Sequence, residues 1–102
     1  MVPVDTPPPV HDVFGREIRE GDKIVYARRK GSTASLNRGV VVTAEHYDDG
    51  FMMQGKGIRI PRWKPRIRVE AEELWINGWR PLSRVVTLTI PNRIVVVDSD
   101  AW

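Results

Sequence analysis

Three features of this 102-residue sequence predict a small all-β domain. Short runs of β-branched residues recur along the chain, Gly, Asn, Asp and Pro turn signals separate them, and apolar periodicity of the helical kind is almost missing. Five to six short strands closing into a small barrel, with a C-terminal β-hairpin, is the architecture these features imply.

The first ten residues, MVPVDTPPPV, hold four prolines and read as an extended, polyproline-like arm over residues 1–10. The domain is expected over 11–98, with a barrel to about residue 83 and the hairpin from Arg84 to Asp98, followed by an acidic, aromatic tail over 99–102. A turn at Glu20-Gly21-Asp22 precedes a strand from Lys23 to about Arg29, and Gly31 to Ser35 reads as a polar loop. Val40 to Thr43 suit a pleated strand. Asp48-Asp49-Gly50 reads as a hairpin turn returning the chain along Phe51 to Gln54. Gly55-Lys56-Gly57 breaks that strand, and Pro61 and Pro65 argue for an edge or bridging segment. Ile67 and Val69 alternate with Arg66, Arg68 and Glu70 as in a half-buried strand, and Asn77-Gly78 favours a turn after the ambiguous AEELW segment. Val85 to Ile90 and Ile94 to Val97 read as a last hairpin about Pro91-Asn92.

The segment Asp12 to Val42, with Phe14-Gly15-Arg16, Gly21-Asp22-Lys23-Ile24 and Gly39-Val40-Val41, resembles the opening of SH3-like barrels of the KOW kind. It is also similar to small proteins of actinobacterial phages that begin DVFGRxI..GD..VY. The resemblance covers about a third of the chain. It implies a five-stranded barrel that binds nucleic acid or protein; beyond Gly57 the sequence has no obvious counterpart in it.

Charge narrows the partner. The net charge is +3, and arginine outnumbers lysine twelve to four, which tilts the surface toward anions and planar, bidentate recognition. Residues 50–69 hold Lys56, Arg59, Arg62, Lys64, Arg66 and Arg68 around Trp63 without one acidic residue. Cations at alternate strand positions stand roughly 6–7 Å apart, a spacing that can follow phosphates, with the indole free to stack on a base. The plainer reading makes Arg66 and Arg68 a solvated strand face balanced by Glu70, Glu72 and Glu73, with Trp63 on the core. Arg28, Arg29, Lys30 and Arg38 flank the Gly31–Ser35 loop and are expected to widen the same basic face. Trp102, after Asp98, Ser99 and Asp100, reads as a frayed end or as an anchor docking in a basic pocket, on a partner or on this chain's own arginine-rich face.

No catalytic centre is expected. His11 and His46 have no metal-binding spacing, Asp48 and Asp49 are explained as turn chemistry, and no phosphate-binding glycine loop is present. Without cysteine there is no thiolate nucleophile and no disulfide framework. The expectation is a non-catalytic binding module without cofactor or metal. Its partner is nucleic acid, DNA or RNA, or alternatively a host bacterial protein with an acidic face, bound by a phage-encoded adaptor or inhibitor. No apolar run reaches the roughly 20 residues a membrane span requires, and a cytoplasmic location, the host's for a phage protein, is expected.

Overall fold

The computed structural model describes residues 6–53 and 58–102; the side chains of Lys30, Thr33 and residues 51–60 lie outside that description. Seven strands follow in chain order: β1 (Lys23–Lys30), β2 (Thr33–Asp48), β3 (Phe51–Met53), β4 (Ile58–Ile60), β5 (Trp63–Trp75), β6 (Gly78–Leu88) and β7 (Ile94–Val97). Five of them form one antiparallel sheet in the order β6-β5-β2-β1-β7, and β3 pairs with β4. A single 3-10 turn, Pro91–Arg93, is the one helical element among the described residues. The protein is mainly β, as the sequence predicts.

The core lies on one face of the sheet. Ile24, Tyr26, Val41, Ile67, Val69, Ala71, Ile94 and Val96 are buried there, and Val10 and Ile18 close it from the segment that precedes β1. Val10 falls within the stretch read as a free arm, whose first five residues lie outside the described ones; it is buried because Ile18 N donates to its carbonyl and ties the two ends of the N-terminal loop together.

The sheet coils but stays open. Irregularities in register at Val41/Thr43 in β2 and Glu70/Glu72 in β5 bend the long strands, as β-bulges do, and swing β6 round toward β1. Closure into a barrel fails for two physical reasons. The outward backbone groups of β7 are already taken, because Val13 N donates to Ile94 O at 3.1 Å and Val96 N donates to Asp12 Oδ2 at 2.8 Å. Across the remaining seam Arg84 and Arg93 face Arg28 and Arg29, and like charges oppose a direct ladder.

Several local expectations change with this topology. β6 and β7 are not a hairpin: they lie at opposite edges, because the Pro91–Arg93 turn carries the chain across the open end and Ile94–Val97 pairs with β1 instead. Gly31-Ser32 alone turns β1 into β2, with Ser35 already in the ladder opposite Arg28. Asp48-Asp49-Gly50 does not reverse the chain: Asp48 pairs with Trp63 and Phe51 with Ile60, so the two sides continue as one arm. Asp48 Oδ1 bridges the gap, accepting from Gly50 N and Arg62 N. AEELW stays in β5, and the turn comes at Ile76-Asn77 with Gly78 at φ 120°. Pro65 sits in β5 opposite His46, at a point where β6 pairing has not yet begun, so its missing N–H costs no ladder bond.

Gly39 is the tightest point of the bend. A Cβ there would stand 2.4 Å from Val69 Cγ1, 2.6 Å from Glu70 O and 3.0 Å from Ala71 Cα. Two of those neighbours are backbone and cannot rotate away. Gly39→Ala is therefore expected to destabilise the fold by about 1–3 kcal/mol, the usual cost of overpacking, read as a drop in Tm of roughly 4–8 °C per kcal/mol. An unchanged Tm would show that the β2–β5 contact is looser than this.

Candidate functional site

Cross-strand register decides what each predicted cation does. On the outer face, away from the core, β2 sets Arg38 opposite Glu72 and Glu45 opposite Arg66. Arg38 Nη2 lies 3.1 Å from Glu72 Oε2, and Arg66 Nη2 lies 2.6 Å from Glu45 Oε1 with its guanidinium 4.8 Å from the Tyr47 ring. Arg62 and Lys64 share Asp49 Oδ2 at 2.8 and 2.7 Å. Hydrogen bonds from Lys64 and Arg62 hold the Asp49 carboxyl below its ordinary pKa, so it stays charged and offsets one of the two positive charges it pairs with. Exposed pairs of this kind add little stability, but they remove net positive potential from the surface.

The sequence-predicted interface therefore divides. Trp63 and Lys64 are consecutive strand residues and point to opposite faces, so ring and cations are interleaved in the text and separated in space. Arg68, opposite Thr43, is exposed and makes no ion pair among the described residues. Lys56 and the side chains of Arg59 and Lys30 lie outside the described residues. The two basic clusters do not converge, either. Arg28 stands opposite Ser35 and Lys64 opposite Tyr47, which puts roughly 40 Å of β2 between them. Trp102 stacks on the chain's own Arg38.

Beyond Tyr26, β1 loses its β7 neighbour, and the coiled β6 approaches from the other side. Between them is a cleft of about 730 Å³. Arg28, Arg29, Arg84 and Arg93 line it, all four exposed and none in an ion pair among the described residues, and no acidic residue is among the lining residues. Ser83, Thr87 and Thr89 add hydroxyls, and Leu82, Val86, Leu88 and Ile90 an apolar wall. Tyr26 lines it too, and its buried hydroxyl has no hydrogen-bond partner among the described residues. The arrangement suits an anion with an apolar body: guanidinium groups for oxygen atoms, hydroxyls as further donors, aliphatic surface for the rest.

Arg84 and Arg93 were not among the predicted site residues. A trace of them is present in the sequence, because residues 74–97 contain three arginines and no acid, as residues 25–44 contain four cations and no acid. These two acid-free stretches are the ones that face each other across the cleft. His46, Asp48 and Asp49 have structural partners: His46 Nδ1 lies 2.8 Å from Pro8 O, and Asp48 and Asp49 hold Gly50, Arg62 and Lys64.

No curated protein and no solved structure matches the chain. Residues 10–88, which run from the buried Val10 through the end of β6, match the family model described as domain of unknown function DUF7205, and the chain belongs to that family.

Proposed function

We propose that the domain is a non-catalytic binding module that takes a single nucleic-acid strand in the cleft between β1 and β6. The observation that carries this reading is that Arg28, Arg29, Arg84 and Arg93 line one cleft, without an ion pair among the described residues and without an acidic residue in the lining. The cleft, of about 730 Å³ and lined by four guanidinium groups beside an aliphatic wall, suits a short stretch of single strand whose bases are unstacked. Phosphates would meet the guanidinium groups, and the aliphatic wall would carry sugar and base. Such a module would act in the cytoplasm, the host's if a phage encodes it.

Titration of labelled single- and double-stranded oligonucleotides between 50 and 200 mM salt tests this. Four phosphate contacts on a single strand give a log–log salt slope of about −3, so affinity should fall about 50-fold over that range. Saturable binding of the single strand, stronger than that of the duplex, is the expected result. No binding at 50 mM salt ends the reading.

A second reading, a phage-encoded adaptor that clamps a host bacterial protein, is favoured by one separate observation. Leu74, Trp75 and Ile76 at the β5–β6 turn are 62%, 52% and 94% exposed, an apolar tip with a protein-contact character. Capture from a bacterial lysate that survives nuclease treatment and depends on Ile76 would favour this reading over the first.

A further inference from the structure

On the outer face, opposite the core, the Arg38 guanidinium lies over two indoles. Its carbon lies 4.2 Å from the centre of the Trp79 ring and 4.8 Å from that of Trp102. Glu72 fixes the orientation, accepting from Arg38 Nε and Nη2 at 3.3 and 3.1 Å. Lys23 completes the site: its Nζ is 5.4 Å from the Trp102 ring centre and donates a hydrogen bond to the Trp102 main-chain oxygen. Lys23 and Arg38 come from β1 and β2, and Trp79 from β6, so three rigid strands build the receptor side of this contact.

The ligand side is held differently. Asp98 to Ala101 are exposed, and the segment's own internal bond is Ala101 N to Asp98 O at 3.0 Å. Its one ion pair among the described residues, Arg16 with Asp98 at 3.9 Å, joins side chains 56% and 83% exposed, which is too solvated to hold the segment in place. Between the end of β7 and the indole, therefore, little fixes the chain; the Trp102 ring is the anchor.

We propose that Lys23, Arg38 and Trp79 form a binding site for an acidic peptide segment carrying a tryptophan, which residues 98–102 occupy in cis and a partner protein's segment of the same chemistry occupies in trans. The chemistry is on both sides of the contact. The Trp102 ring packs on a guanidinium that also contacts Trp79, the ammonium takes the adjacent main-chain oxygen, and acidic residues accompany the ring toward Lys23 and Arg16. The four residues Asp98 to Ala101 tether the Trp102 indole to β7 and give it an effective concentration in the millimolar range, so a trans segment enters only when the cis indole is displaced or lost.

The test uses the full chain. Trp102→Ala, and Trp102→Leu as a second opened variant that keeps an apolar cover, are titrated by calorimetry with the peptide acetyl-Asp-Ser-Asp-Ala-Trp. Either folded variant is expected to bind one equivalent at least about 10-fold more tightly than the unaltered chain, in line with removal of a millimolar competitor. Binding is lost when Arg38→Ala is added and when the peptide's tryptophan is replaced by alanine. The proposal is overturned if the opened variants show no saturable binding, if the unaltered chain binds equally well, or if the alanine peptide binds as tightly. Oligonucleotide binding in the cleft, on the other side of the sheet, is expected to be unchanged in these variants, so this result and the nucleic-acid result stand or fall separately.

Discussion

Asp12→Ala is expected to destabilise the domain by roughly 3–5 kcal/mol, a large share of the 5–15 kcal/mol typical of a domain. Asp12 is 5% exposed and makes three backbone contacts: Oδ1 accepts from Phe14 N and Arg16 N, each at 2.9 Å, and Oδ2 accepts from Val96 N at 2.8 Å. One carboxylate thus folds the N-terminal loop and fastens it to the edge of β7. Removal leaves the buried Val96 N–H without a partner, and an unsatisfied buried donor costs more than the bond itself gained. Burial is the largest single influence on the Asp12 carboxyl and opposes its ionisation. The hydrogen bonds from Val96, Arg16 and Phe14, with the Arg16 charge, together outweigh it and leave the pKa below the ordinary 3.8. A depressed value in the folded state means the stabilisation is complete above the unfolded value and is lost as pH falls through the folded one. Asp12→Asn retains the shape but offers one oxygen acceptor in place of two, so it should cost less than the alanine variant and carry no such pH dependence. Thermal melts from pH 6 to 2 should bring the unaltered protein and Asp12→Asn together at the acid end. Parallel curves would mean that the Asp12 charge contributes nothing to the fold.

The strands were readable because their chemistry is local. Val40–Thr43, Ile67–Val69 and Ile94–Val97 are β-branched or alternate, and the buried positions of β5 follow that alternation. What could not be read is which strand lies beside which. The stretch from Val85 to Val97 looks like a hairpin from composition, yet Asp12 and Val13 occupy one side of β7 and β1 the other, a pairing set by residues some 70 to 80 positions earlier. The candidate site failed in the sequence for the same reason. Arg66 reads as free because the nearest acids in the text are Glu70 and Glu72; its partner is Glu45, delivered by register across β2. Arg84 and Arg93 read as ordinary surface residues because nothing in their neighbourhood shows that β6 curls round to meet Arg28 and Arg29. The density of positive charge along the chain was a poor guide to the potential at the surface, since a cation counts only if the facing strand brings no carboxylate to it.

That distinction makes the second large prediction a comparison between two pairs of arginines. Arg28→Ala with Arg84→Ala removes one unpaired guanidinium from each wall of the cleft, whereas Arg66→Ala with Arg68→Ala lowers the formal charge by the same two units on the denser basic stretch. If affinity followed overall charge, both double variants would weaken oligonucleotide binding alike. If it follows unpaired charge in the cleft, the first pair should halve the salt slope from about −3 to about −1.5 and lower affinity roughly 10- to 100-fold at 50 mM salt, a loss of about 1 kcal/mol or slightly more per phosphate contact. The second pair should change affinity less than about 3-fold, because Arg66 is already paired with Glu45, whose carboxylate stays in water when Arg66 is removed, and Arg68, though without such a pair, stands on the outer face away from the cleft. All four side chains are exposed, so neither variant disturbs the core, and circular dichroism should be the same for both. Equal losses, or a larger loss from Arg66 and Arg68, would move the interface to the outer face of β5 and leave the cleft arginines without a role in binding.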